Sequence, residues 1–381
     1  MNPTASDTHP IEKAADEFGR NVIEAHAEQW NSNGTVPREF FQQAAEHNLC
    51  RLLVPHELGG AGLDVGGFTR VLTILARHCL ASTFALVVHN NLTAAIARSG
   101  IERHIDSYLQ AMMKGEKIGA FLLTEPGAGS DAAAISTTAR RQGDDWILNG
   151  SKAWISNAVH ADVLSVYVQT NESSGARGIA GFLLDAEMAG VSRVPPYDLL
   201  GGHALGTGGF QFNDCLVANG ALLAAPGEAF KAAMHGINLA RCGVAAMCVG
   251  LMQRALSEAI NYTGQRTAFG AQLGDFQGVQ WILADCATDL EAAQALTAIA
   301  TRLIDSGGDA TLAAAHAKKF ATRTAFKCVT DCMQVMGAAG LSRSYPLARH
   351  LEAAKMAQYL DGATEIQNVV IARQLKAVYA D

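Results

Sequence analysis

The chain has 381 residues, a net charge of −7 and eight cysteines, with 49% hydrophobic and 17% charged residues. That length accommodates two or three domains with sizeable cores, and so low a charge content implies burial in those cores or in contacts between subunits. The basic residues do not cluster, which argues against nucleic acid as a main partner; no apolar run is expected to span a bilayer; and the polar start MNPTASDTHPIEKAADEFGR is read as neither signal nor transit peptide, so a cytoplasmic protein is expected.

The first third reads as helical. Residues from Pro10 to about Asn31 are amphipathic, Pro37 opens a second helix through Leu49, and Val54–Pro55 with Gly59, Gly60 and Gly62 makes a turn. Between Gly66 and Ala97 the apolar residues (Phe68, Val71, Leu72, Ile74, Leu75, then Phe84, Leu86, Val87, Val88) cover too wide a face for a surface helix, so core helices are expected. His89–Asn90–Asn91 interrupts them; a ligand-facing role and a hydrogen-bonded core histidine both fit. Another helix follows over Ile101–Met113.

At Gly115 the pattern changes. Ile118–Leu123 is a short apolar run, and further β-type runs occupy Trp146–Leu148, Ala153–Ile155, Val163–Gln169, Ile179–Leu184 and Gly209–Phe212. From Glu228 the helical signal returns. Val279, Ile282, Leu283, Cys286, Leu290, Ala293, Leu296 and Ala300 recur at steps of three and four, as in an antiparallel bundle helix. The expected fold is therefore α+β and multi-domain: an N-terminal α-helical domain over 1–117, a middle β domain, barrel or sandwich, over 118–227, and a C-terminal helical bundle over 228–381.

Two stretches carry chemistry. Thr124–Glu125–Pro126–Gly127–Ala128–Gly129–Ser130–Asp131 follows the first apolar run; its glycines let backbone N–H groups approach a ligand, and Thr124 and Ser130 add hydroxyls. It is not a Rossmann fingerprint, because no GxGxxG opens a helix inside a βαβ unit, and no GxxxxGK[ST] is present. The second is Gln358–Tyr359–Leu360–Asp361–Gly362–Ala363–Thr364–Glu365–Ile366–Gln367, where a carboxylate stands at a break between two helices. Asp361 is a candidate base there; a plain interhelical Asp-Gly turn fits the same residues. The scattered cysteines include one close pair, Cys328 and Cys332, at helical i,i+4 spacing without ligand-type residues beside it, so buried thiols and no metal site are expected.

Taken together, Phe121–Asp131 (FLLTEPGAGSD), Leu148–Asn157 (LNGSKAWISN), Arg266–Gln280 (RTAFGAQLGDFQGVQ), Gln334–Leu341 (QVMGAAGL) and Gly362–Arg373 (GATEIQNVVIAR) resemble the acyl-CoA dehydrogenase family. The segments occur in that family's order and span nearly the whole chain, and the α, β, α reading agrees with its fold. The resemblance implies FAD as cofactor. Phe121, Leu123, Thr124, Gly129 and Ser130 correspond to the flavin-side strand and turn, and Trp154, Ile155 and Ser156 to the segment lining the isoalloxazine, with the Ser156 hydroxyl near flavin N5. Arg266, Phe269, Gln277, Gln334, Gly337 and Ala338 resemble the residues that a neighbouring subunit lends to FAD, implying a homo-oligomer, a tetramer or a dimer. Thr364 and Glu365 fall among cofactor positions, and Ser130, Asn238, Arg241, Leu360 and Gly362 on the substrate side.

The implied reaction converts an acyl-CoA or acyl-carrier-protein thioester to the trans-2-enoyl thioester, with Asp361 removing the α-proton and an electron-transfer flavoprotein accepting the electrons. The chain departs from the family's usual pattern. Asp361 stands where most relatives have Glu, a reach shorter by roughly 1.5 Å. Leu360 and Ala363 replace the usual Tyr and Thr, Asn238 replaces Asp, and the loop Gly201–Gly209 lacks the usual Arg. The alternative base position holds Ala240. Three further readings stay open: a carrier-protein dehydrogenase, an O₂-using oxidase or monooxygenase, against which Asn368 stands where Asp-dependent nitroalkane oxidases carry Arg, and a flavin-binding protein without turnover.

Overall fold

Helices occupy both ends of the chain and a β domain lies between them, and the computed structural model describes residues 9–379. At the start, α1 (Pro10–Phe18) and α2 (Glu24–Asn33) form one rod interrupted by a π turn over Gly19–Ile23. Gly19 is needed there because a Cβ would come within 2.4 Å of the His78 ring. Next come α3 (Arg38–Glu46), α4 (Val65–Ala76), α5 (Leu80–Ser99) and the short α6 (Glu102–His104) and α7 (Gln110–Met113). His89 on α5 is a core histidine: Gly119 N–H donates to its Nδ1 at 3.3 Å, leaving Nε2 to donate to the Met112 carbonyl at 3.0 Å. Burial pushes its pKa down to about 4, so the ring is neutral.

The β domain has eight strands, β1 (Gly119–Leu122), β2 (Thr138–Gln142), β3 (Asp145–Ile155), β4 (Val163–Gln169), β5 (Ile179–Asp185), β6 (Val191–Val194), β7 (Gly208–Val217) and β8 (Leu222–Ala224). They form one sheet in the order β6-β7-β3-β2-β4-β5-β8, with β1 beside β4. The sheet closes over its own core: Trp146 of β3 and Phe182 of β5, from strands that are not neighbours, meet edge-on at 5.5 Å. Trp146–Leu148 and Ala153–Ile155 prove to be one strand, because register shifts after Leu148 and Lys152 keep β3 paired with β7. The edge strands β6 and β8 are short, and β2 is largely polar, which hid them from a reading of apolar runs.

Beyond the sheet, α8 (Ala229–Gln265) leads to a small hairpin of β9 (Thr267–Ala268) and β10 (Ala271–Gln272) and then to α9 (Gln277–Asp305) and α10 (Thr311–Val335). α11 (Leu347–Ala357) and α12 (Thr364–Tyr379) complete the bundle. Of the α9 stripe, Cys286, Leu290, Ala293 and Ala300 are buried, and Val279, Ile282, Leu283 and Leu296 pack at its margin. The expectation that no apolar run is long enough for a bilayer is corrected. α5 and α8 both pass by length and composition, but 89% and 67% of those stretches are buried inside the fold, where core packing accounts for their apolarity.

Small residues set how closely these helices approach. At Gly250 of α8 a Cβ would lie 2.1 Å from the Thr73 carbonyl of α4. Gly250→Ala is therefore expected to destabilise the fold by about 1–3 kcal/mol through overpacking, read as a lower thermal unfolding midpoint; an unchanged midpoint would show that the two helices can separate freely.

Candidate active site

The turn between α11 and α12 is held in an uncommon conformation. Asp361 has φ 50° and Gly362 φ 94°. A left-handed residue with a side chain persists only where its surroundings over-determine it, and here three side chains do so. Lys318 Nζ, from α10, donates to the carbonyls of Gln358 at 2.9 Å and Gly362 at 2.7 Å. Arg241 Nε, from α8, donates to the Asp361 carbonyl at 3.2 Å, and Gln367 Nε2, from α12, to that of Gly362 at 2.9 Å. Arg241 also donates through Nη1 to Asn238 Oδ1 at 3.0 Å, and Asn238 in turn donates to Thr311 Oγ1 at 3.1 Å. Asn238, Arg241 and Gly362 thus gather at Asp361, while Leu360 packs against the helical core.

Asp361 is poised electrostatically. Its Oδ2 is buried without a hydrogen-bond partner, as are Thr364 Oγ1 and Gln367 Oε1. Burial pushes the Asp361 carboxyl up to about 6, with Lys318 and then Arg241 opposing the rise. Lys318 is fully enclosed, and burial lowers its ammonium to about 8 despite the nearby carboxylate. A buried carboxylate oxygen left unpaired between two cations is costly to keep and is the kind of group that marks a reaction site.

The Thr124–Asp131 turn is fastened from behind. Lys152 of β3, fully buried, donates to Glu125 Oε1 at 2.7 Å and to the Leu123 carbonyl at 3.0 Å. Glu125 also accepts from Ser136 N–H, Ser136 Oγ and Thr137 N–H at 2.7, 2.8 and 2.9 Å. Burial raises the Glu125 carboxyl, but Lys152 and these donors outweigh it and leave it at about 2; burial brings Lys152 down to about 8, so the pair is ionised at neutral pH. Ala153 N–H donates to the Thr124 carbonyl at 3.0 Å. The outer side of the turn, with Gly127, Gly129 and Ser130, stays exposed.

Beyond Lys152, Trp154 has φ 59° and is 58% exposed, with Tyr197 at 4.6 Å from its ring. Ser156 is half-buried. Ile155 has its side chain buried in the sheet's core, so only its backbone can meet a ligand. Leu123 is likewise buried, in a small cluster with Phe121, Tyr167, Ala229 and Ala233. That cluster packs the start of α8 behind the turn, and Ala233 stands about 12 Å along the same helix from Arg241. One helix therefore supports both halves of the site.

The remaining expected residues do not join Asp361 within this chain. Arg266, Phe269 and Gln277 lie on the β9–β10 hairpin and the start of α9, and Gln334, Gly337 and Ala338 at the end of α10; all are exposed, Phe269 by 98%. Glu365 is exposed too. The Gly201–Gly209 loop is a largely buried connector, since Cβ atoms at Gly201 and Gly202 would meet Glu352 and Met356 of α11 at 2.4 and 2.3 Å. A surface hollow of about 550 Å³ lined by His26, Trp30, Arg38 and His160 contains none of the expected residues.

Three charged groups that fasten these turns were given no role by the sequence reading: Lys318, Lys152 and Glu125. Glu125 and Lys152 lie inside two of the segments singled out, and for Lys318 the signal was a charge inside a small-residue stretch. The i,i+4 pair Cys328 and Cys332 also gains a third thiol, Cys286, from α9.

The donor set fits a flavin. An exposed indole and a turn of glycine and hydroxyl residues offer an apolar face and hydrogen bonds, and the unpartnered Thr364 hydroxyl and Asp361 carboxylate await a ligand. Known proteins agree. The chain matches the acyl-CoA dehydrogenase N-terminal domain over residues 6–116, the middle domain over 120–215 and the C-terminal domain over 227–376. The mitochondrial short-chain specific acyl-CoA dehydrogenase of Homo sapiens is 37% identical over 364 residues, covering 95% of this chain and 88% of that protein. The structure of butyryl-CoA dehydrogenase from Megasphaera elsdenii superposes with a TM-score of 0.92 at 31% identity, covering 98% of this chain and 100% of that one. A glutaryl-CoA dehydrogenase from Mycobacterium smegmatis in complex with FADH2 gives 0.90 at 26% identity, covering 97% and 94%.

The raised Asp361 pKa carries a sign for stability. The folded state holds this proton up to about pH 6 and the unfolded chain only to 3.8. The group's contribution is thus fully present below the lower value and is lost as pH rises through the higher one. Asp361→Asn, which cannot ionise, is expected to melt several degrees above the parent protein at pH 8 and together with it near pH 4; a gap that does not change with pH would contradict the raised pKa.

Proposed function

This chain belongs to the acyl-CoA dehydrogenase family of oxidoreductases acting on CH–CH bonds, and from that premise we propose that it desaturates a short acyl-CoA at the α and β carbons with Asp361 as the base. FAD is the cofactor, and when bound it supplies the acceptor for the β-hydrogen and its electron pair. The observation that carries the reading is the buried, unpartnered Asp361 Oδ2 in a turn whose carbonyls are gripped by Lys318 and Arg241.

In this reading the ionised Asp361 takes the α-proton at its carboxylate. Its own N–H polarises the thioester carbonyl, which acidifies the α C–H by stabilising the developing enolate. Lys318 has two tasks. Its hydrogen bonds to the carbonyls on both sides of Asp361 fix where the carboxylate stands, and its charge keeps the carboxyl from rising further above 6. Fixing the turn matters more for Asp than for Glu, because the shorter side chain has less freedom to correct a misplaced backbone. Thr124, Ser130 and Ser156 supply hydroxyls on the cofactor side, and Trp154 an aromatic wall.

The preference for a short acyl group rests on the short-chain and butyryl-CoA relatives. A homo-oligomer is part of this proposal, supported by the exposed Arg266, Phe269, Gln277, Gln334, Gly337 and Ala338, which would serve the FAD of a neighbouring copy. Arg266 presents a guanidinium fork suited to phosphate. An electron-transfer flavoprotein is the acceptor expected of such an enzyme.

An anaerobic titration of the FAD-loaded protein with saturated acyl-CoAs from short to long and branched tests the function. Short members are expected to bleach the oxidised flavin band, Asp361→Asn to abolish bleaching while keeping FAD, and Asp361→Glu to retain it. Bleaching by acyl-carrier-protein thioesters alone, or by none, would overturn the assignment. In the steady state, kcat/KM should rise with pH through about 6 as Asp361 ionises. Lys318→Met is expected to lower it at least tenfold, about 1.4 kcal/mol, and to move that limb to higher pH; a loss with the limb unmoved would reduce Lys318 to packing.

A further inference from the structure

The bundle holds a second group of reactive side chains, none of which is among the residues placed in the active site. Cys286 on α9 and Cys328 and Cys332 on α10 are all buried, and their three Sγ atoms lie within 4.8 Å of one another. Cys328 and Cys332, one turn apart, share a face of α10, and Cys286 belongs to the buried stripe of α9 that packs on it. The Cys286 S–H faces the Cys328 carbonyl at 4.0 Å. Three sulfurs bonded at about 2.3 Å to one pyramidal centre stand about 3.5 Å apart. The three thiols lie within 4.8 Å of one another, so small side-chain rotations bring them to the separation that one atom bonded to all of them would impose.

Charge selects the occupant. No histidine or carboxylate joins the cluster among the described residues, so coordination ends at three sulfurs. The neighbouring cation, Lys327, is exposed and already paired with Asp331 at 2.9 Å. The same two helices contribute buried Leu290, Ala325 and Val329 to the core. Three thiolates around a divalent ion would leave a net negative charge in that apolar interior, a cost of several kcal/mol with nothing to offset it. A trivalent ion leaves the complex neutral, and sulfur ligands select soft ions.

We propose that Cys286, Cys328 and Cys332 form a binding site for a thiophilic trivalent ion of the As(III) or Sb(III) type, held by three sulfurs between α9 and α10. The reaction with arsenous acid balances without a redox partner. Three S–As bonds form and three As–O bonds break. Each thiol proton leaves with a hydroxyl as water, and neither sulfur nor arsenic changes oxidation state. The product ties α9 to α10 and stabilises the folded bundle by mass action.

The experiment uses the FAD-loaded full chain incubated with arsenite, followed by removal of free reagent. One arsenic per chain, a new ultraviolet sulfur-to-arsenic absorption and a raised unfolding temperature are expected. Cys286→Ala should lose all three signals, and Cys332→Ser does the same work if the first variant fails to fold. Cys79→Ala, which removes a buried cysteine outside the cluster, should keep them. Zn(II) offered under the same conditions should bind at least tenfold more weakly. Failure of folded protein to take up arsenic, uptake that survives loss of Cys286 or Cys332, or Zn(II) binding as tight as arsenic would each overturn the proposal.

Discussion

A carboxylate on a left-handed residue cannot hold its place unaided, and three side chains of the C-terminal bundle hold this one. Asp361 stands at φ 50° between two helices, and the carbonyls of Gln358, Asp361 and Gly362 are each bonded by a buried or largely buried cation. The cations come from α8 and α10, the helices that pack centrally in the bundle. Backbone carbonyls satisfy the hydrogen bonds of Lys318, so a fully enclosed ammonium is tolerated without a carboxylate bonded directly to it. Asp361 then feels two positive charges without being neutralised by either. That balance leaves its pKa near 6, low enough to ionise at neutral pH and high enough to accept a proton readily.

The β domain solves a similar problem in the opposite sense. There the Lys152–Glu125 pair is bonded directly, with three further donors on the carboxylate, and it is ionised and inert. Its effect is mechanical: it pins the glycine-rich turn from inside, which leaves the outer surface of that turn free for a ligand. α8 connects the two arrangements, packing behind the turn near Ala233 and reaching the Asp361 turn at Arg241. A flavin that must meet both sides needs them registered against each other, and a continuous helix is a stiff way to do this.

The close approach of Ala- and Gly-rich helices has another result. Helices that touch through small residues bring the few larger side chains between them together. In the α9–α10 seam those side chains include three cysteines, which packing alone would not require to converge on one point.

Much of this was legible in the amino-acid order. The α, β, α division followed from the change of period at Gly115 and its return at Glu228, and the helix break at Asp361–Gly362 followed from turn chemistry, because both depend on residues close in sequence. The polar strand β2 and the short edges β6 and β8 were not legible, since an edge strand need not be apolar. Nor were Lys318, Lys152 and Glu125, whose roles depend on partners 11 to 44 residues away in the chain, or the third thiol that joins Cys328 and Cys332. Ile155 was grouped with the cofactor segment by its neighbours, and only the sheet shows that its side chain faces the core. By itself the sequence determined the family and the order of domains and marked Asp361 as the candidate base, because these are written in local pattern and spacing. Only the tertiary structure decided which charges surround that carboxylate and which thiols meet, because buried charge and sulfur act through distances that chain order does not contain.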